Sequence, residues 1–529
     1  MIRPKQYLVK LWANGCERRV VVDDRFPCDK SGSLMTCYSN NRRELWVSVI
    51  EKAYMKLHGG YDFPGSNSGV DLYSLTGWIP ESVNLNDNDD DDSSASKSSS
   101  NNSSAGSPVL PSDRVWKRLE SAHRFGDCLL TLATGPLDEA EADRAGLVPT
   151  HAYAVLDARE VPAHLANLAT PPSSASGSGN GSGSGNNNTL RLLLVKNPWA
   201  KKRWRGNFSA HDERHWTPAL QLMLNYDVAL ARTCDNGVFW IDWASATHYF
   251  RVLHLNWNPS LFQHKAGLHQ HWPVSQGPQN DSYNYGYNPQ FTLKIAQPPW
   301  IPSPSIAAPS NASSSSSSSG GTVWILLTRH VVAKDDDSDH ADAHDARGGG
   351  SGRGIGTTNA ASAAGEDGKD YLTCHVFENT LGQRVFAPGS ARKSQIVQGV
   401  YSNNQHALVR FELPSPPSVA SANKSNGSGS GSGSGGAGAT REYTLVVSQY
   451  CKVRAVDFTL QAWCTTAPLA LTPAPSLPPH GKEFRGSWDA TSCGGALGHP
   501  SFYTNPMWSV TVASPSNRFH AELMAPKEL

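Results

Sequence analysis

The sequence predicts an α+β fold in which a mixed helix-and-strand part is followed by β-sandwich modules. Within the first 85 residues, a β-hairpin pattern is followed by an amphipathic helix pattern. From about residue 268 onward, apolar and polar residues alternate over short stretches, as they do in strands with one buried face. The chain also contains 16 Trp, 16 Tyr and 15 Phe, which is too many aromatic residues for a protein without folded cores.

The hairpin and the helix have clear local signals. Residues 7–11 and 19–22 are β-patterned and flank Asn14-Gly15, a pair suited to positive φ in a tight turn. Apolar residues then recur at three-to-four spacing across residues 45–57, which predicts a helix with one buried face. Gly59-Gly60 follows and predicts the C-terminal end of this helix.

The β-patterned part contains a faint repeat. Residues 456–464 alternate in polarity, as expected of a strand. Trp272 is followed by Asn-Pro-Gln-Phe sixteen residues later, and Trp488 by Asn-Pro-Met-Trp seventeen residues later. We interpret this as two copies of one β module, of which the second is incomplete.

Low-complexity sequence separates the folded blocks and explains a hydrophobic content of only 38%. Such stretches consist mainly of Ser, Gly, Asn and Asp and cannot bury enough apolar surface to fold. We interpret several of them as expanded surface loops, because loop closure costs little more as length grows. They are residues 86–107, 170–188, 309–321, 334–368 and 415–439.

Charge and cysteine content exclude several classes of protein. The chain of 529 residues has 46 basic and 46 acidic residues, which argues against a dedicated nucleic-acid-binding protein. No apolar run reaches about 18 residues, so no transmembrane segment is expected, and the first residues lack the apolar core of a secretory signal. The nine cysteines include no Cys-x-x-Cys pair, which predicts reduced thiols and neither a disulfide framework nor structural zinc.

Two short motifs point to catalysis. His151 opens the β-patterned segment HAYAVLD, and Asn197 follows another in KNPW. Across a sheet, the Asn carbonyl could accept a hydrogen bond from one ring nitrogen of the His, leaving the other for a thiol. Trp199 would exclude water from that bond. Without further information, a structural His and an Asn-Pro turn explain the same residues.

The order of several motifs resembles the catalytic core of the calpain family, in particular its PalB-type atypical branch (calpain-7-like). The motifs are VVVDDRFP, ELWVSVIEKAYMKLHGGYDFPGS, LTGWIPE, HAYAVLDARE and KNPWAKKRW. The resemblance implies a partial papain-like core, with His151 and Asn197 as catalytic residues of a Cys-His-Asn triad. It implies these segments: residues 1–85, the end of the first core subdomain; 86–107, an insertion; 108–260, the second subdomain; 268–470, a C2-like sandwich (calpain domain III-like); and 480–529, an incomplete second one.

The resemblance places the nucleophilic Cys, and the Gln that supplies an oxyanion donor, upstream of the segment YLVKLWANG. We therefore expect this chain to lack both and to be inactive by itself. Cys16, Cys28 and Cys37 are poor substitutes, since none opens a helix that would lower a thiol pKa. The intact His and Asn motifs favour a truncated protease over a pseudoenzyme.

No cofactor is required for this chemistry, although the resemblance implies calcium. Conventional calpains have acidic residues where Asn236 and Val238 stand here, and commonly one where Ala210 stands, so the second core calcium site looks degraded. Asp62 is a candidate for a site in the first subdomain. We interpret His264, His269 and His271 as loop residues and not as a metal site.

The sequence thus supports two functions. The first is a calpain-like endopeptidase that cleaves protein substrates in the cytoplasm, where the resemblance implies endosome association and partners in alkaline-pH signalling or endosomal sorting. The alternative is a catalytically inert scaffold whose β-sandwich modules bind proteins or membrane surfaces.

Overall fold

A computed structural model of the chain describes residues 5–85 (without 40, 42 and 64), 111–166, 189–277, 284–296, 321–331, 370–378, 380, 384–386, 394–414, 440–450, 452 and 454–475, and the single positions 487, 491 and 505. The five low-complexity stretches lie outside these residues, except Gly321. The predicted second β module also lies outside them, apart from the three single positions.

The first part of the chain forms the predicted hairpin and helix. Strands β1 (Gln6–Ala13) and β2 (Cys16–Asp23) pair antiparallel, and Asn14 and Gly15 turn between them with φ of 53° and 77°. Helix α1 (Trp46–Leu57) packs its buried face on the hairpin to form a small core of its own. Both sequence predictions are therefore confirmed.

The second part is a six-stranded antiparallel sheet with short helices on it. Its order is β3-β8-β4-β5-β6-β7. The strands are β3 (Ile79–Asn84), β4 (Cys128–Thr134), β5 (Ala152–Pro162), β6 (Thr189–Lys196), β7 (Val238–Asp242) and β8 (Phe250–Trp257). The helices are α2 (Ser68–Thr76), α3 (Pro111–Phe125), α4 (Glu139–Ala145), α5 (Pro218–Leu224), α6 (Val228–Thr233) and α7 (Trp243–Tyr249). Strand β3 comes from the first 85 residues, so the end of that segment is built into this sheet.

The third part is a β-sandwich, as the sequence predicts. Its five-stranded sheet has the order β13-β12-β15-β10-β17, its four-stranded sheet the order β14-β11-β16-β9, and one apolar core joins them. The strands are β9 (His264–Trp272), β10 (Gln290–Ala296), β11 (Thr322–Arg329), β12 (Tyr371–Phe377), β13 (Gln395–Val397), β14 (His406–Glu412), β15 (Thr440–Tyr450), β16 (Val456–Cys464) and β17 (Leu469–Pro473).

Strand β11 links the sandwich to the six-stranded sheet. Val323, Ile325 and Leu327 point into the sandwich core. Trp324 and Leu326 point the other way and belong to the core of the six-stranded sheet. Burial on both faces explains why this strand is a continuous apolar run without polar alternation.

The prediction for the three histidines after residue 260 is wrong. His264, His269 and His271 lie in strand β9 and not in a loop, and this strand pairs with β16 over its whole length. Exposed and half-buried residues alternate along β9. The sequence pattern does not reveal this alternation, because histidine is compatible with either environment. No helix in the described parts of the chain is long and apolar enough to cross a lipid bilayer.

Candidate active site

Backbone contacts to the end of the neighbouring strand hold His151 at the start of β5. The His151 amide donates to Thr134 Oγ1 (2.9 Å), and the Thr134 amide donates to the His151 carbonyl (3.0 Å). Thr150, just before it, has a φ of 51°. The chain therefore turns sharply and enters the sheet with the His151 backbone fixed on both sides.

The amide of Asn197 is oriented by its surroundings. Asn197 follows strand β6, has a fully buried side chain, and donates its backbone N–H to the Gly237 carbonyl (2.9 Å). Its Nδ2 donates to the carbonyls of Lys201 (2.8 Å) and Lys202 (3.1 Å). Within the side-chain amide only the nitrogen can donate to a carbonyl. These two bonds therefore require Nδ2 to face the two carbonyls and Oδ1 to point the other way.

Antiparallel pairing of β5 with β6 brings the two predicted residues together. His151 Nε2 lies 3.1 Å from Asn197 Oδ1. Since Oδ1 can only accept, Nε2 carries the proton and the neutral ring is the Nε2–H tautomer. None of the hydrogen bonds found in the described residues uses Nδ1, which is the nitrogen left for a reacting partner.

Trp199 covers the hydrogen bond between His151 and Asn197. Its ring centroid is 4.4 Å from that of His151, and its own backbone N–H donates to Asn197 Oδ1 (3.1 Å). The indole remains 54% exposed, so it shields one side of the imidazole from water. The exclusion of water from the bond between His151 and Asn197 by Trp199 stays a prediction.

Burial lowers the pKa of His151 below its usual value of 6.5, and the hydrogen bond that the ring donates to Asn197 opposes that shift. The ring is half-buried, so burial disfavours the charged imidazolium. The Asn197 oxygen favours it, because a charged ring donates a stronger hydrogen bond. Two opposed effects therefore set the basicity of the site.

Seven cysteines lie in the described part of the chain. None of the seven in the described part of the chain forms a hydrogen bond with His151. Cys16 Sγ is 3.2 Å from His269 Nε2 in the sandwich, and Cys28 Sγ contacts the Phe26 carbonyl. Burial and the Glu51 carboxylate raise the pKa of Cys37 to about 11, which keeps that thiol protonated. Cys128, Cys374 and Cys464 are buried in cores, and Cys451 and Cys493 lie outside the described residues.

The region of the suspected second calcium site does not fit a divalent cation. Lys196 Nζ donates to the Asn236 carbonyl (3.2 Å), and Asn236 Oδ1 accepts from the Val238 amide (3.0 Å). Arg232 Nε donates to the Ala210 carbonyl (2.8 Å). The oxygens that a hard cation needs are thus bonded to N–H groups, and two of these carry positive charge.

No group of three or more His, Cys, Asp or Glu side chains within the described residues is placed to hold a metal ion. Asp62, the residue predicted for a first-subdomain calcium site, is exposed and lies beside Gly60. A calcium role for Asp62 stays a prediction.

Comparison with known proteins agrees with the architecture. Residues 5–256 match the family described as calpain family cysteine protease. Human Calpain-7 is 33% identical over 521 residues, which cover 98% of this chain and 49% of that protein. The chain is therefore similar to the calpain family over residues 5–256. The calpain-like protease palB/RIM13 of Aspergillus oryzae is 29% identical over 518 residues, covering 97% of this chain and 45% of that protein.

The chain spans about half the length of the curated relatives it matches. The match to the protease family ends at residue 256, just before the first strand of the sandwich. His151, Asn197 and Trp199 all lie inside the matched region. The matched family is one of cysteine proteases.

Several residues that build the site had no signal in the sequence. Thr134 fixes the His151 backbone, and the carbonyls of Lys201 and Lys202 orient Asn197. Backbone carbonyls have no sequence signature, since every residue has one. The Thr134 contact depends on the register between β4 and β5, which the sequence pattern does not specify.

Proposed function

We propose that this chain supplies the acid–base residues of a calpain-like, Cys-His-Asn cysteine endopeptidase. The observation that carries the proposal is the 3.1 Å hydrogen bond between His151 Nε2 and Asn197 Oδ1. This bond leaves His151 Nδ1 for a thiol, and the protein family is one of cysteine proteases. A His and an Asn in this relation suit acyl transfer through a thiolate.

In the complete reaction, His151 Nδ1 accepts the proton of the attacking thiol, which gives a thiolate beside an imidazolium. The thiolate attacks the peptide carbonyl, and His151 then returns the proton to the leaving amine. Water, deprotonated by His151, hydrolyses the resulting thioester and restores the thiol. Asn197 keeps the His151 ring in the same orientation through both halves of the reaction, while Trp199 shields the ring from water.

In this proposal the thiol is none of the seven described cysteines, and the chain is inactive without that thiol. Loss of a triad member removes most of the rate, and loss of an oxyanion-hole donor costs about a further 10²–10³-fold. No cofactor is required for the chemistry itself. We propose protein substrates and a cytoplasmic location, which the free cysteines suit. Endosome association and partners in alkaline-pH signalling or endosomal sorting rest on the resemblance alone.

The second candidate function is a non-catalytic scaffold. It is favoured by one specific observation, the lack of a hydrogen bond between His151 and any thiol of the described residues. In that case the β-sandwich would serve as a C2-like module that binds proteins or membrane surfaces. The His–Asn pair would then be a structural remnant.

Casein hydrolysis separates the two functions. We expect no hydrolysis by the 529-residue chain. We expect hydrolysis by the chain extended with any residues that its transcript encodes upstream of Met1, and loss of that activity in His151→Ala but not in the exposed-site control His248→Ala. Casein cleavage by the 529-residue chain would contradict the proposal that this chain lacks the nucleophilic thiol. An extended chain that leaves casein intact, or a transcript without such an extension, would favour the scaffold.

A further inference from the structure

The loop that carries Asn197 has a strained backbone. Ala200, Lys202 and Phe208 have φ of 54°, 59° and 63°, in the left-handed region that side chains disfavour. Each such residue costs about 1–3 kcal/mol unless the surroundings hold it. Because Asn197 is bonded to the carbonyls of Lys201 and Lys202, displacement of this loop would displace the Asn197 side chain.

Arg203 links this loop to the next one. Its Nε lies 2.9 Å from Asp235 Oδ1, and its Nη1 donates to the Ala231 carbonyl (2.6 Å). The Ala231 carbonyl lies at the C-terminal end of α6, where a cation is favoured by the exposed carbonyl dipoles. The Arg203 side chain is only 11% exposed, so water screens these contacts weakly.

Two further cations complete the connection in both directions. Arg232, near the end of α6, donates to the Ala210 carbonyl (2.8 Å) in the loop that carries Arg203. Lys196, one residue before Asn197, donates to the Asn236 carbonyl (3.2 Å). Three basic side chains thus join residues 196–210 to residues 231–236, each with its charged end on an oxygen of the facing segment.

We propose that Lys196, Arg203 and Arg232 act as built-in cations that position Asn197 without a bound divalent metal. Arg203 is the principal positioning residue. It satisfies a carboxylate and a helix-end carbonyl, both of which are the type of oxygen that calcium would use. The proposal deepens the proposed function, because it explains how the Asn197 side chain stays aimed at His151. A calcium ion placed here would meet three positive charges.

Hydrogen–deuterium exchange on the full 529-residue chain tests the proposal. The change is Arg203→Met, and the matched control is Arg214→Met, which alters an exposed arginine of the same loop. Loss of charge-assisted hydrogen bonds predicts about 10- to 100-fold faster exchange at residues 197–202 and 231–238. Arg203→Lys should restore only part of the protection, because an ammonium lacks the fork geometry. Equal exchange in Arg203→Met and Arg214→Met would overturn the positioning role.

Two more readouts make the test specific. In the unchanged chain, exchange at these residues should be the same in calcium and in EDTA, and protection that increases with calcium would overturn metal independence. In Arg203→Met, the His151 pKa measured by NMR should shift in the same direction as in Asn197→Ala, which a merely destabilising change elsewhere does not produce. None of these readouts requires peptidase activity, so their failure would leave the proposed function standing.

Discussion

His151 Nε2 and Asn197 Oδ1 are 3.1 Å apart, although 46 residues separate them in the chain. Two antiparallel strands bring them together, and two backbone carbonyls turn the Asn197 amide so that its oxygen faces the ring. The geometry therefore fixes both the tautomer of the histidine and the nitrogen that remains for chemistry. Changes at the residues around this pair should alter the basicity of the histidine in predictable directions.

Asn197→Ala should lower the pKa of His151 further below its usual value. The Asn197 hydrogen bond raises that pKa, so its removal leaves burial unopposed. An NMR titration of the His151 ring measures the shift, with Asn207→Ala, an exposed side chain in the same loop, as the control. A pKa that increases in Asn197→Ala would contradict the hydrogen bond described above.

Trp199→Ala should have the opposite effect and raise the pKa of His151 towards its usual 6.5. The indole ring lies 4.4 Å from the imidazole, and its loss admits water that stabilises the charged form. Trp46→Ala, which removes a 60% exposed tryptophan from α1, is the matched control and should leave the titration unchanged. If the His151 ring has the same pKa in both variants, Trp199 does not shield it from water.

Gly15→Ala should destabilise the protein more than Gly32→Ala does. Both glycines have positive φ, 77° and 82°, and the resulting backbone strain of about 1–2 kcal/mol is common to both. A methyl group on Gly15 would also overlap the Thr459 side chain in the sandwich, whereas Gly32 has open space around it. Overpacking of this kind adds about 1–3 kcal/mol. Calorimetric melting temperatures compare the variants, and equal losses would show that the hairpin turn does not contact the sandwich.

Acid should destabilise the fold below pH 6.5 through buried histidines. Burial lowers the pKa of His254 and His375 to about 4 and that of His406 to about 3. Each stays neutral in the folded state but takes up a proton on unfolding, so stability present above pH 6.5 decreases as the pH falls from 6.5 towards these values.

The contribution of one histidine can be isolated by substitution. His254→Gln should reduce the pH dependence of the unfolding free energy between pH 6.5 and about 4 by up to about 1.4 kcal/mol per pH unit. The control His248→Gln, at a side chain that is 69% exposed, should not. Urea unfolding across this pH range measures both, and identical slopes would exclude His254 as a proton acceptor on unfolding.

Sequence patterns predicted those features that depend on neighbours along the chain. The Asn14-Gly15 turn, helix α1 and strand β16 each have a local signal, and the structure has all three. The strand pattern alone left the pairing of His151 with Asn197 open, and the resemblance to the calpain family predicted it.

Features that depend on how elements pack together were not predictable. Strand β3 joins the six-stranded sheet because β8 lies beside it, and β8 is about 170 residues away along the chain. Arg203 and Arg232 are ordinary surface-type residues until the fold places carbonyls opposite them. Their positions follow from strand register and loop geometry, on which hydrophobic periodicity carries no information.

The most direct test of the account is the tautomer of neutral His151, measured from its ring ¹⁵N chemical shifts in the folded chain. The hydrogen bond to Asn197 Oδ1 requires the proton on Nε2 and a bare Nδ1. We expect a protonated Nε2 whose shift changes in Asn197→Ala. A proton on Nδ1, or shifts that do not respond to Asn197→Ala, would contradict the proposed acid–base pair.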